Sequence, residues 1–164
     1  DEKPYIEALG HRSYRIMAAG LEGLGLLNPP LALARARALE KEEKPQLIQA
    51  ISSLYASHGN SSHDAYFKNI MKNGGGYATY LATLNYGAYL HNQGGTTLEE
   101  GVLFLEAQMA SDEMLASYSA RNALSLIQKE LSMDLELLEE EDVDRKASLA
   151  ALINNIAAII EAGS

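Results

Sequence analysis

SLYASHGNSSHDAYF, residues Ser53 to Phe67, holds two of the chain's four histidines, with a carboxylate directly after the second. It is either a ligand cluster or a corner between two helices, and the spacing selects the corner. Ligands sharing one helix face stand three or four residues apart, whereas the step from His58 to His63 rotates them by about 140°. Gly59 also interrupts the helix between them. His58 then ends one helix, where an imidazolium suits the negative end of the dipole, and Gly59 is expected as a left-handed C-cap. Ser61 or Ser62 is expected to cap the next helix, and Asp64 sits in its first turn, where a carboxylate suits the positive end. His58, His63 and Asp64 are therefore read as architecture, and neither catalytic nor metal-binding residues are assigned anywhere in the chain.

Apolar residues spaced by three and four extend this pattern in both directions. Ser13 to Leu27 carries Met17, Ala18, Leu21 and Leu24 on one stripe, and LNPP (Leu27 to Pro30) ends it, because a proline pushes its predecessor out of helical geometry. A second helix follows from Leu31 to about Glu42. Pro45 opens a third, Gln46 to His58, with Leu47, Ile48, Ile51, Leu54 and Tyr55 inward. The fourth runs through Asn73 with Ala65, Tyr66, Ile70 and Met71 as its apolar positions, and Gly74 to Gly76 breaks it. Tyr77 to Asn92 is helical. Thr97 is the expected N-cap of the next helix, Leu98 to Ala110, with Glu100 completing a capping box. Ser111 or Asp112 caps a long helix from Glu113 to at least Leu131. Glu139 to Asp142 reads as an acidic linker, and Arg145 to about Glu161 as a terminal helix with an apolar face.

Strand alternation is almost absent, so the class is all-α. The stripe Met17, Ala18, Leu21, Leu24 recurs thirty residues on as Leu47, Ile48, Ile51, Leu54, and thirty further as Tyr77, Ala78, Leu81, Leu84, each followed by a turn and a second helix. A fourth unit around Ala116 to Ile127 keeps the style but not the spacing. A repeated helix pair predicts an α-α superhelix or solenoid of HEAT- or armadillo-like units, one domain over residues 1–164. Register alone does not separate this from a compact bundle.

Composition narrows the function. The 164-residue chain carries 13 Lys and Arg against 22 Asp and Glu, a formal charge of -9, so it lacks the basic stripe that grips a phosphate backbone, and no nucleic-acid partner is expected. Arg12, Arg15, Arg35, Arg37 and Lys41 read as solvated helix faces. No cysteine is present, which excludes disulfides and thiolate metal sites and leaves the compartment open. No apolar run reaches the ~18 residues of a membrane span. The start at Asp1, without Met, suggests a processed protein or a piece of a longer one.

The motifs of enzymes are missing. His-Glu-x-x-His, Glu-x-x-His, Gly-x-Ser-x-Gly and the phosphate loops do not occur. GLEGLGLL (Gly20 to Leu27) has the glycines of a nucleotide loop but lies inside a helix, where they permit close packing. His11 and His91 stand alone near helix ends as solvated or capping residues. Glu136 to Asp144 lacks the glycine of a calcium loop and reads as a solvated acidic stretch. Tyr66, Tyr77, Tyr80, Tyr86 and Tyr89 recur at helical spacing as core or groove lining.

Residues 11 to 130 nevertheless resemble a known pattern. Ser13 to Arg15, Ala18, Ala19, Leu21, Leu24 and Gly25 match SYR-x-x-AAxLxxLG; Ala38 to Lys41 match A-x-x-LEKE; and Ile48, Ala50, Ile51, Leu54 to Ala56 and Gly59 match I-x-x-AI-x-x-LYA-x-x-G. The stretch resembles the C-terminal helical domain of the aminopeptidase-N family of zinc metallopeptidases, particularly bacterial members. In that family the zinc ligands and general base come from a His-Glu-x-x-His helix with a downstream Glu, and a Gly-x-Met-Glu-Asn segment holds the substrate amine. Neither is present here. The resemblance implies a non-catalytic domain that holds no cofactor of its own, with zinc in the catalytic domain of the same polypeptide. It packs on that domain and limits which peptide substrates reach the metal. A free-standing helical-repeat scaffold binding a protein or peptide in its groove is the alternative. The NPP turn and the tail from Met133 onward depart from the family pattern.

Overall fold

The computed structural model describes residues 1–163. Among them there are nine α-helices and no strand, so the chain is all-α. They are α1 (Lys3–Ala8), α2 (Tyr14–Leu27), α3 (Pro29–Leu39), α4 (Pro45–His58), α5 (Asp64–Asn73), α6 (Gly76–Gln93), α7 (Gly95–Met109), α8 (Met114–Leu137) and α9 (Val143–Ala162). No helix is long and apolar enough to cross a membrane among the described residues.

The even-numbered helices form a row: α2 packs on α4, α4 on α6 and α6 on α8. They run in one direction, since contacts advance together along each pair. Between α4 and α6 these are Ser52 with Asn85, Ala56 with Asn92 and Gly59 with Gln93. Between α6 and α8 they are Gly87 against Ala123 and His91 against Asp134. The intervening helices pack beside the row, α1 lies on α2, and α9 packs against α8.

The buried residues of successive even-numbered helices can be aligned, but not at the expected constant spacing of thirty. Ala18, Gly20, Leu21, Leu24 and Gly25 of α2 reappear thirty residues later as Ile48, Ala50, Ile51, Leu54 and Tyr55 of α4, every one buried. From α4 to α6 the step is 35: Leu47, Ile48, Ile51, Ser52, Leu54 and Tyr55 become Ala82, Thr83, Tyr86, Gly87, Tyr89 and Leu90. From α6 to α8 it is 37, giving Ser119, Ala120, Ala123, Leu124 and Ile127. The expected third stripe of Tyr77, Ala78, Leu81 and Leu84 is not buried, and Tyr77 is 72% exposed. The cause is an overhang. Pro45 starts α4 and Gly76 starts α6, 31 residues apart, while their buried registers differ by 35, so α6 projects about one turn past the end of α4. By the same comparison α8 begins level with α6.

Other boundaries are corrected too. In α5 the buried face is Tyr66, Phe67, Ile70 and Met71, while Ala65 is exposed. Helix α7 starts at Gly95 after Gly94 at φ +65°, so Thr97 is inside the helix and is not its N-cap, and the Thr97–Glu100 box does not form. The N-cap of α8 is Glu113, whose N–H is held by Ser111 Oγ at 3.2 Å. The glycines of GLEGLGLL do permit close packing: a Cβ on Gly23 would lie 2.1 Å from the Tyr5 ring, and one on Gly20 would lie 2.8 Å from Ala8 Cβ.

The acidic stretch after α8 does connect it to α9, whose buried residues are Ile156 and Ile159, with Leu149, Leu152 and Ile153 half-buried on the core.

Candidate functional site

The corner opened by SLYASHGNSSHDAYF is a hydrogen-bonded cap. Asn60, rather than Ser61 or Ser62, is the capping residue. Its Oδ1 accepts from Ser62 N–H at 3.0 Å and from Ser62 Oγ at 2.7 Å. His63 closes the box in the position usually held by Glu or Gln, its Nδ1 accepting the Asn60 N–H at 3.0 Å. Gly59 has φ −69° and ψ 171°, extended rather than left-handed. What requires glycine there is space, because a Cβ would meet the Tyr55 carbonyl oxygen at 2.4 Å.

An aromatic cluster supports this cap. His63 is 5% exposed, and its ring lies 4.0 Å from that of Tyr55. Tyr66 meets Tyr55 edge-on at 5.3 Å, and Phe67 touches Tyr86 at 5.2 Å and Tyr89 at 5.0 Å. Each buried tyrosine that enters this cluster from α4 or α6 finds an acceptor for its hydroxyl: Tyr55 donates to Glu40 at 2.6 Å, Tyr86 to Asp64 at 2.7 Å and Tyr89 to the Asn60 carbonyl at 2.8 Å. Burial first, then the neighbouring carboxylate, raises the hydroxyl pKa of Tyr55 and Tyr86, and Tyr89 is pushed up to about 12 by burial and then by Asp64. For His63 burial lowers the pKa, and against it work the Asn60 carbonyl oxygen, 3.2 Å from Nδ1, and Glu40, with Arg37 adding to the lowering. The ring is thus held neutral, in keeping with an Nδ1 that accepts.

These commitments decide what the cluster can do. Asp64 receives the Tyr86 hydroxyl and pairs with Lys68 at 2.7 Å, His63 is occupied by Asn60 and Tyr55, and His58 is exposed at the end of α4. The three do not converge on a common point, and no group of three His, Asp or Glu capable of holding a metal occurs among the described residues. Residues here do not fit a zinc ion. His11 Nδ1 caps the Ser13 N–H at 3.0 Å, and His91 Nε2 meets Asp134 Oδ2 at 2.7 Å across α6 and α8.

Two of the exposed surfaces carry clustered apolar or aromatic side chains. On α2, Ile16, Gly20, Gly23 and Leu27 share one stripe, and the short α1 covers only its middle, leaving Ile16 42% and Leu27 52% exposed. An open groove of about 440 Å³ lies between the two helices, lined by Pro4, Tyr5, Ala8, Arg15, Ile16, Ala19 and Gly20. The second surface lies on the overhanging first turns of α6 and α8, where Tyr77, Tyr80 and Tyr118 stack. Of the five tyrosines expected as core or groove lining, Tyr66, Tyr86 and Tyr89 are core and Tyr77 and Tyr80 belong to this stack. The chain matches no protein-family model, no curated protein and no solved structure in the three comparisons made.

Proposed function

We propose that the chain is the non-catalytic C-terminal helical domain of a zinc aminopeptidase, docked on the catalytic domain of the same polypeptide and restricting which peptides reach the metal. The observation that carries this is where the residues of the family-like pattern meet. Tyr55 of the LYA segment donates to Glu40 of the LEKE segment at 2.6 Å, and Tyr14 of the SYR segment donates to Glu42, at the end of LEKE, at 3.4 Å. Three motifs separated by 15 to 28 residues thus meet in space, which gives them a shared physical reason to occur together.

The groove between α1 and α2 supplies a docking face. Its apolar stripe is uncovered at both ends, and α2 is the terminal helix of the row, the side on which a further layer of helices would stack. Access control on this reading is steric: a rigid stack seated beside a catalytic cleft excludes bulky substrates without contributing a reacting group. Zinc in the catalytic domain would supply the hydrolytic chemistry, and nothing in this chain would ligate it. Sequencing the reading frame that encodes the chain tests the assignment. It should contain His-Glu-x-x-His and a downstream Glu in frame before Asp1; a start codon immediately before Asp1 overturns it in favour of a free-standing helical-repeat scaffold.

A further inference from the structure

The tyrosine stack on α6 and α8 stands apart from the α1–α2 groove and does not depend on the peptidase assignment. The Tyr77 and Tyr80 rings lie 5.9 Å apart at an interplanar angle of 21°, and Tyr80 and Tyr118 lie 6.2 Å apart at 11°. Their order is a ladder across two helices. Tyr77 is 72% exposed and Tyr118 56%, so ring faces at both ends are open, and Met114 beside them is 84% exposed. Asn122 Nδ2 reaches the Tyr80 hydroxyl at 3.5 Å, tying the middle rung to α8.

Charge identifies the occupant. Glu113 lines the same crevice as Tyr80 and Leu115, and neither Glu113 nor the adjacent Asp112 forms an ion pair among the described residues. Aromatic faces carry negative potential, and the unpaired Glu113 carboxylate beside Tyr80 adds to it, so the surface attracts cations and repels phosphates and acidic chains. The same edge of the row already shows such a contact within the chain: the Lys44 ammonium sits 5.5 Å from the centre of the Tyr14 ring, at the N-terminal ends of α4 and α2.

We propose that the Tyr77–Tyr80–Tyr118 ladder, bordered by Glu113, docks an arginine-bearing segment of a partner protein. Arginine fits better than lysine because its planar guanidinium stacks on an open ring while its fork of donors pairs with the Glu113 carboxylate.

The test is a titration of the folded chain, followed by backbone amide NMR, with the blocked synthetic peptide acetyl-GRGRG-amide and with its citrulline counterpart, in which each guanidinium is replaced by a neutral planar urea. The arginine peptide should shift the amides of Tyr77, Glu113 and Tyr118 in a saturable way, with the citrulline peptide about tenfold weaker. Glu113→Gln and the double variant Tyr77→Ala with Tyr118→Ala should each weaken the arginine peptide several-fold. All these side chains are exposed, and Glu113→Gln is close to isosteric, so at least one variant reports on binding in a folded chain. Equal binding of both peptides, shifts located elsewhere, or variants that bind as the parent chain does would each overturn the proposal. So would a concentration-dependent sedimentation coefficient that the double variant abolishes, which would assign the ladder to a second copy of the chain.

Discussion

Replacing Gly59 by alanine probes the corner directly. With φ −69° the new residue meets no backbone strain, so any cost is steric. Its Cβ would lie 2.4 Å from Tyr55 O and 3.2 Å from Tyr55 C and Cα, all backbone atoms of the last turns of α4, so the chain itself must move. That movement works against the bond from Gln93 Nε2 to Gly59 O at 3.1 Å and the Tyr89 hydroxyl bond to Asn60 O at 2.8 Å. Overpacking of this kind costs about 1–3 kcal/mol. One weakened hydrogen bond adds about 1 kcal/mol. The lower entropy of the unfolded alanine chain returns about 0.5–1 kcal/mol. The net is a loss of about 2 kcal/mol, or a fall in Tm of about 4–8 °C for a chain of this size. Thermal and urea denaturation followed by circular dichroism measure it. Gly75→Ala is the control: nothing lies within 4 Å of its Cβ and its backbone is extended, so it should be neutral or slightly stabilising. Gly59→Asn separates the causes, since asparagine relieves a left-handed position but not a collision. Asparagine rescuing stability, or Gly59→Ala matching Gly75→Ala, would refute the steric account.

Other perturbations have equally definite outcomes. Because His63 has a lowered pKa when folded, its contribution to stability is fully present above the ordinary histidine value of 6.5 and is lost as pH falls through the folded value. The urea midpoint should therefore drop between pH 7 and 5, and His63→Gln should flatten part of that drop; an unchanged slope counts against the neutral cap. Tyr86→Phe removes a 2.7 Å bond to Asp64 in the core and should cost about 1–2 kcal/mol in urea denaturation, with a loss below ~0.3 kcal/mol contradicting the role given to that bond. Gly23→Ala drives a Cβ into the Tyr5 ring, so α1 should detach while the row of even helices holds. Limited proteolysis should then cut before Tyr14 far faster than in the parent chain, at a Tm lowered by only a few degrees.

Much of this fold is readable from spacing, and the failures have physical causes. Leu21 and Leu24 align with Ile51 and Leu54 because both stripes are made of large aliphatic residues, which leave a strong periodic trace. The equivalent stripe in α6 is Ala82, Thr83, Tyr86, Gly87 and Tyr89, whose small and polar members hide the register, and the more hydrophobic Leu81 and Leu84 attract it instead. Tyrosine pairs mislead in the same way. Tyr77 with Tyr80 and Tyr86 with Tyr89 have identical spacing, yet one pair lies on the first turns of α6, at and beyond the start of α4, and the other in the core, a difference set by where α4 begins. Tyr118 enters the ladder only through the packing of α8 on α6, which no local pattern reports. Histidine as the third member of a capping box has no sequence signature, so the burial of His63 is legible only once Asn60 is seen to turn the chain.

The docking claim meets its most direct test in the amide hydrogen exchange of α1, compared between the chain alone and the longer zinc-binding polypeptide proposed to carry it. A helix of six residues is marginal alone, and α1 lines the groove assigned to the catalytic domain, so its amides report on whether that groove is covered. The account predicts exchange across Lys3–Ala8 slowed by about tenfold or more in the longer polypeptide. Equal rates in the two would contradict it.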